Sequence, residues 1–197
     1  MRKASWKDRD LYIEIFTEVF AGNTGITWVL RKNINPCKGL RRLARYSFVK
    51  GMVKDGVYIS DNGKGIAICY KFNNNRFSLR IIWSEIIFAL GALSIIRLPR
   101  VLHRESYKKK KRPASGEYLY FWFLGALPSE RSAALELGKD IVKEADRLGL
   151  PIYLETAVER LKPAYERYGF ETYHYWEEKK KDIQFWFLKR EPNTPIR

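Results

Sequence analysis

The chain has 197 residues, 46% of them hydrophobic and 30% charged, so it can bury one sizeable core; a disordered chain is excluded. Two cysteines, Cys37 and Cys69, exclude a disulfide framework and a Cys-rich zinc site. The net charge is +15 and uneven: residues 1–112 carry +16, residues 113–197 carry −1. The basic half would attract phosphates, nucleic acid or an anionic membrane surface, with a merely solvated basic face as the ordinary alternative.

Asp8 to Phe20 places Leu11, Ile15, Phe16 and Val19 at helical spacing, with Asp8 as N-cap. Met1 to Asp10 is charged, and Glu14 and Glu18 interrupt the apolar run after it, which does not fit a signal peptide; the expected compartment is cytoplasmic. A second helix spans Cys37 to Lys54, with Lys38, Arg41, Arg42 and Arg45 on its polar side. The turn signals Asp55-Gly56 and Asp61-Asn62-Gly63 bracket a hairpin of Val57–Ser60 and Gly65–Phe72, and Asn73 to Arg76 is a polar loop.

Ile81 to Leu98 is the most apolar segment, but its uncharged run is about half of the ~20 residues a membrane span needs. It reads as a buried or interface helix ended by Pro99, followed by a polar loop, His103 to Gly116. That loop holds the basic run Lys108 to Arg112, a weak signal for nucleic acid. Tyr118 to Leu127 is a central strand, Ser129 to Leu148 an amphipathic helix with Gly149 as C-cap, and Pro151 to Glu155 a buried strand. A helix over Val158 to Tyr168 and strands Glu171–Trp176 and Ile183–Leu188 follow, joined by the charged turn Glu177 to Asp182. This order predicts an α/β chain: a mixed sheet of six to seven strands flanked by helices, in a single domain, 1–197.

A strand feeding a helix N-terminus aims backbone N–H groups and the helix dipole at an anion. Here that unit is YLYFWFLGALPSERSAALELGKDIVKEADRLGLPIYLET, and LETAVERLKPAYERYGFE and FWFLKREP follow it. Together these passages resemble the GCN5-related N-acetyltransferase (GNAT) superfamily: its central strand, pyrophosphate loop and helix, its Tyr-Glu-x-x-Gly-Phe signature, and its closing strand.

The resemblance implies a V-shaped split between the two central parallel strands, opening after about Leu124, in which the pantetheine of acetyl-CoA lies. It implies cofactor contacts from the Leu124-Gly125-Ala126 strand end, with the backbone of Leu124 and Ala126 bonding to pantetheine. It also implies a phosphate contact from Arg131, and N–H groups of Ser132, Ala133, Ala134, Leu135 and Glu136 facing the pyrophosphate. Tyr165 becomes the residue that protonates the departing thiolate, a role its phenol, with a pKa near ~10, suits.

The family loop reads Gln/Arg-x-x-Gly-x-Gly/Ala. This chain keeps Arg131 but has Ala134 and Glu136 at the small positions, so the loop is degenerate. A carboxylate near two phosphates opposes their binding, and Glu136→Gly is expected to raise acetyl-CoA affinity. The asparagine that helps hold pantetheine in the family is Leu161 here.

Glu117 and Glu155 are the candidate general bases, although a carboxylate so placed is more often a solvated strand-end group. His103 and His174 are isolated, outside any metal or nucleophile spacing. The expected activity is transfer of acetyl from acetyl-CoA to an amine of a small molecule or peptide. The alternative is a non-catalytic relative whose basic half binds an anionic partner such as nucleic acid. A dimer is possible in either case.

Overall fold

A computed structural model describes residues 1–31, 35–73, 78–178 and 183–193. The expected loop residues 74–76 and turn residues 179–182 lie outside the described residues. The strands are β1 (Arg2–Lys3), β2 (Val57–Ile59), β3 (Gly65–Lys71), β4 (Leu119–Ala126), β5 (Ile152–Thr156), β6 (Glu171–Glu178) and β7 (Ile183–Arg190). The α-helices are α1 (Arg9–Val19), α2 (Thr24–Thr27), α3 (Pro36–Val53), α4 (Leu79–Ala92), α5 (Leu98–Lys111), α6 (Arg131–Leu148) and α7 (Lys162–Glu166). The strands form one mixed seven-stranded sheet of order β1-β2-β3-β4-β5-β7-β6, in which only β4 and β5 pair in parallel.

Two apolar layers sandwich the sheet. On one face Tyr12, Phe16, Leu40, Phe48, Ile66 and Ile68 close the space under α1 and α3. On the other Leu137, Ile141 and Ala145 of α6 pack on Ala67, Phe121, Ile152 and Leu154. The inward stripe of α6 recurs every three to four residues, as a half-buried helix requires. Gly149 ends α6 with φ +63°, a left-handed conformation that glycine adopts without strain.

Several sequence expectations are corrected here. Asp8 does not cap α1 with its side chain. Its carboxylate turns back to the Ser5 N–H at 2.7 Å and to Arg2 Nη2 at 2.7 Å, so it stabilises the preceding 3-10 turn. Pro99 does not end a helix but stands in the first turn of α5, where a missing N–H costs nothing and its fixed φ suits the start. The apolar helix stops at Ala92 because Leu93 is extended, and it bridges to Leu30. The segment from His103 to Lys111 is thus helical rather than a loop.

The basic run is only partly open: Lys109, Lys110 and Lys111 are exposed, whereas Lys108 and Arg112 turn inward. Lys108 is buried and pairs with Glu105 at 2.7 Å, and Arg112 reaches the buried Glu155 at 3.2 Å. The expected helix over Val158 to Tyr168 is shorter, a 3-10 turn at Glu159–Leu161 and then the five residues of α7 with Pro163 in the first turn. The apolar helix α4 is also not buried: only Phe88 and Ala92 are covered.

Candidate active site

The site lies where β4 and β5 part. Their parallel register holds for Leu119 with Ile152, Tyr120 with Tyr153 and Phe121 with Leu154, and no further. β4 continues to Ala126 and β5 to Thr156, so the edges separate after Phe121, three residues before the expected point at Leu124. The cause is a bulge. On the β3 side Cys69 pairs with Phe121 and Ile68 with Phe123, which leaves Trp122 as the extra residue. A bulge bends its strand and increases its twist, and this one follows directly on the last residue of β4 that pairs with β5.

Beyond the bulge, backbone direction follows from the ladder. The Ser60 N–H donates to the Gly65 carbonyl, so Gly65 faces β2 and Ile66 faces β4. Its partner Gly125 therefore faces β3, and the backbone groups of Leu124 and Ala126 turn to the open edge. Gly125 is required here: a Cβ would lie 2.5 Å from Val19 Cγ1, so α1 packs against the bare backbone.

The opening is a cleft of about 1050 Å³ whose lining includes Leu124, Gly125 and Ala126 of β4, Ala134, Leu135 and Gly138 of α6, and Leu161 and Tyr165 at its far wall. Leu135 and Leu161 show 54% and 41% of their surface, which makes these cleft walls apolar and open. Tyr165 packs edge-on against Phe170 at 5.6 Å. Among the described residues its hydroxyl makes no hydrogen bond, and burial pushes its pKa up to about 12. Tyr168 spans the α6 wall, donating to the Leu135 carbonyl at 3.3 Å.

The remaining candidates fall elsewhere. Ala133 is buried against the sheet. Arg131, Ser132 and Glu136 are exposed and outside the cleft lining. Arg131 begins the stripe that continues through Leu135, Gly138 and Val142, so it stands at the cleft mouth. Glu136 is two residues from Ala134, about 200° around the helix, and faces away. Since α6 starts at Arg131, the N–H groups of Leu135 and Glu136 lie in its second turn, where its own carbonyls accept them. The expected electrostatic obstruction by Glu136 therefore has no geometric basis. Arg160, exposed on the cleft wall, is a basic group that sequence reasoning missed; nothing in the spacing around it signals a phosphate.

Neither carboxylate is a free base. Glu117 is exposed near Lys71, 4.0 Å away. Glu155 is buried on the sheet face opposite α6, accepting from the Tyr120 hydroxyl at 2.8 Å and pairing with Arg112. The His174 Nε2 is 2.8 Å from the Tyr107 hydroxyl, and burial, with Lys111 nearby, lowers the imidazole pKa. Among the described residues no cluster could hold a metal ion.

The geometry is that of a slot that can accept an extended chain along one strand edge, with a phenol at one side and a helix N-terminus at its mouth. No family model and no curated protein matches the sequence. Solved structures do. A histone acetyltransferase HPA2-related acetyltransferase from Corynebacterium glutamicum is 18% identical over 100% of this chain and 97% of its own, with a TM-score of 0.69. The C-terminal condensation domain of Ebony, in complex with beta-alanyl-dopamine, is 11% identical over 96% and 97%, with a TM-score of 0.68. Arylalkylamine N-acetyltransferase 2 from Aedes aegypti is 14% identical over 98% of each chain, with a TM-score of 0.64.

Proposed function

We propose that this chain, which has the GNAT fold, transfers an acetyl group from acetyl-CoA to an amine of a small molecule or peptide. The observation that carries the proposal is the open β4 edge at Leu124 and Ala126 facing a cleft that also holds the unpartnered Tyr165 hydroxyl. Pantetheine has amide groups at strand-like spacing and would extend the sheet into the slot, as a peptide adds to an exposed edge. Pyrophosphate would meet the first turn of α6, with Ser132 and Ala133, where helix geometry leaves N–H donors open. Arg131 and Arg160 supply positive charge at the mouth and wall.

In the reaction the acceptor amine, as free base, attacks the thioester carbonyl. Collapse of the tetrahedral intermediate breaks the carbon–sulfur bond, and the Tyr165 hydroxyl donates its proton to the departing sulfur. A phenol held near 12 stays protonated at neutral pH and so keeps the proton available. With Glu117 and Glu155 both placed away from this role, the amine loses its proton to water in this scheme. Among the structural neighbours, arylalkylamine acetyltransferases and a NatC complex bound to a peptide and CoA support an amine acceptor. The test is release of free thiol from acetyl-CoA across a panel of arylalkylamines, polyamines and peptide N-termini. Amine-dependent release supports the reading; acetyl-CoA binding without turnover on any class would favour the non-catalytic alternative.

A further inference from the structure

A helix that is apolar all round normally lies inside a protein. Only Arg80, Ser84 and Glu85 interrupt the apolar surface of α4, yet it lies outside. Its inner face puts Phe88 on the ring of Tyr46, stacked at 5.3 Å, and so fixes it to α3. Its outer face, opposite Phe88, is a ridge of Leu79, Ile82, Trp83, Ile86 and Leu90. Leu79, Trp83 and Leu90 show 72%, 66% and 70% of their surface.

Charge says what covers it. The ridge is flanked by Arg80, exposed beside Trp6, and by Arg42, which donates to the Gly91 carbonyl at the end of α4. α3 adds exposed Lys38, Arg41 and Arg45. The only carboxylates on α3, α4 and α5 are Glu85 and Glu105, and both have internal partners, the Tyr46 hydroxyl and Lys108. A second copy would bring a matching cationic rim against this one, with +15 on each chain. Nucleic acid would satisfy the rim but leave a mostly aliphatic ridge with nothing to bury against. An anionic lipid surface satisfies both: the ridge enters the acyl boundary while the guanidinium groups meet headgroup phosphates.

We propose that α4, with its basic flank, docks this chain peripherally on an anionic membrane surface, the helix lying in the interface plane. No helix among the described residues is long and apolar enough to cross a membrane, so the contact is in-plane.

The test is co-sedimentation of the full chain with vesicles of equal parts phosphatidylcholine and phosphatidylglycerol, against phosphatidylcholine alone. Binding to the anionic vesicles should be at least about tenfold tighter and should weaken with added salt. Trp83→Ser with Leu90→Ser, both exposed positions, should lower it about tenfold or more at an unchanged melting temperature, as should Arg41→Glu with Arg45→Glu. Brominated lipid should quench wild-type tryptophan fluorescence more than that of Trp83→Phe. Absence of wild-type binding, or vesicle binding indifferent to the Trp83 and Leu90 changes, overturns the proposal. So does a solution dimer, or duplex DNA binding, that the same double variant abolishes.

Discussion

Gly138 sits in the middle of α6 on the wall of the cleft, and its replacement separates stability from ligand binding. A Cβ built there meets only Leu124 Cδ2, at 3.7 Å, an ordinary contact. Alanine therefore enters without strain, and it removes the entropic penalty of a helical glycine, about 1 kcal/mol. For a chain of this size that corresponds to a melting temperature about 2–4 °C higher. Gly138 and Leu124 are packed neighbours that both line the cleft, so a side chain much larger than alanine at 138 takes up space in the slot proposed for pantetheine. Gly138→Leu should weaken acetyl-CoA binding by about 1 kcal/mol or more, at least about fivefold in Kd. Differential scanning fluorimetry of Gly138→Ala and calorimetric titration of both variants provide the readouts. A lower melting temperature for Gly138→Ala would refute the packing of α6 over β4. An unchanged Kd for a folded Gly138→Leu would refute the slot.

Tyr165→Phe should reduce kcat by about 10²–10³-fold and leave acetyl-CoA affinity within about twofold, since only the proton donor is lost; steady-state kinetics with calorimetry checks both halves. Because the folded-state pKa of Tyr165 is raised from 10.0 to about 12, its neutral form stabilises the fold below pH ~10, and that contribution is lost as pH rises through ~12. Chemical denaturation between pH 9 and pH 12 should show a shallower decline in Tyr165→Phe than in wild type. Arg190, 4% exposed, is held by Asp146 at 2.7 Å and by the Tyr168 carbonyl at 2.8 Å, so Asp146→Ala should cost about 2–4 kcal/mol in a denaturant titration. Arg190 also holds the Asp146 pKa below the usual carboxylate range, with burial opposing it. That stability is therefore present above pH ~4 and lost as pH falls, and the wild-type acid limb should be steeper than that of Asp146→Ala. Glu136→Gly should leave the acetyl-CoA Kd within about twofold, because its side chain faces away from the cleft; a tighter Kd would restore the electrostatic argument.

Much of the fold is legible in the sequence because local chemistry and global structure agree there. The hairpin follows from two turn signals around short apolar runs, and α6 from an apolar stripe ending at Gly149. The site is legible in outline for the same reason: a strand, a turn and a helix in succession fix where a ligand slot can form. Its details depend on tertiary geometry. The Trp122 bulge that parts the strands leaves no signature in composition, since an aromatic residue fits a paired and an unpaired position alike. The direction of Glu136 depends on whether the helix starts at Ser129, Arg131 or Ala134, and a helix boundary is the least determined feature of a sequence. Pro99 misleads because proline both stops helices and starts them. The exposure of α4 is invisible to periodicity, because an apolar helix reads as buried whether or not anything covers it.

The central claim is that the cleft between β4 and β5 is an acetyl-CoA site. Thermal unfolding of the unmodified chain, alone and with acetyl-CoA, tests it most directly. A ligand that binds only the folded state stabilises it by about 2.7 kcal/mol at a hundredfold excess over Kd, which for this chain length raises the melting temperature by about 5–10 °C. The predicted result is a rise of that size in wild type, reduced in Gly138→Leu. A melting temperature that does not move with millimolar acetyl-CoA would contradict the claim.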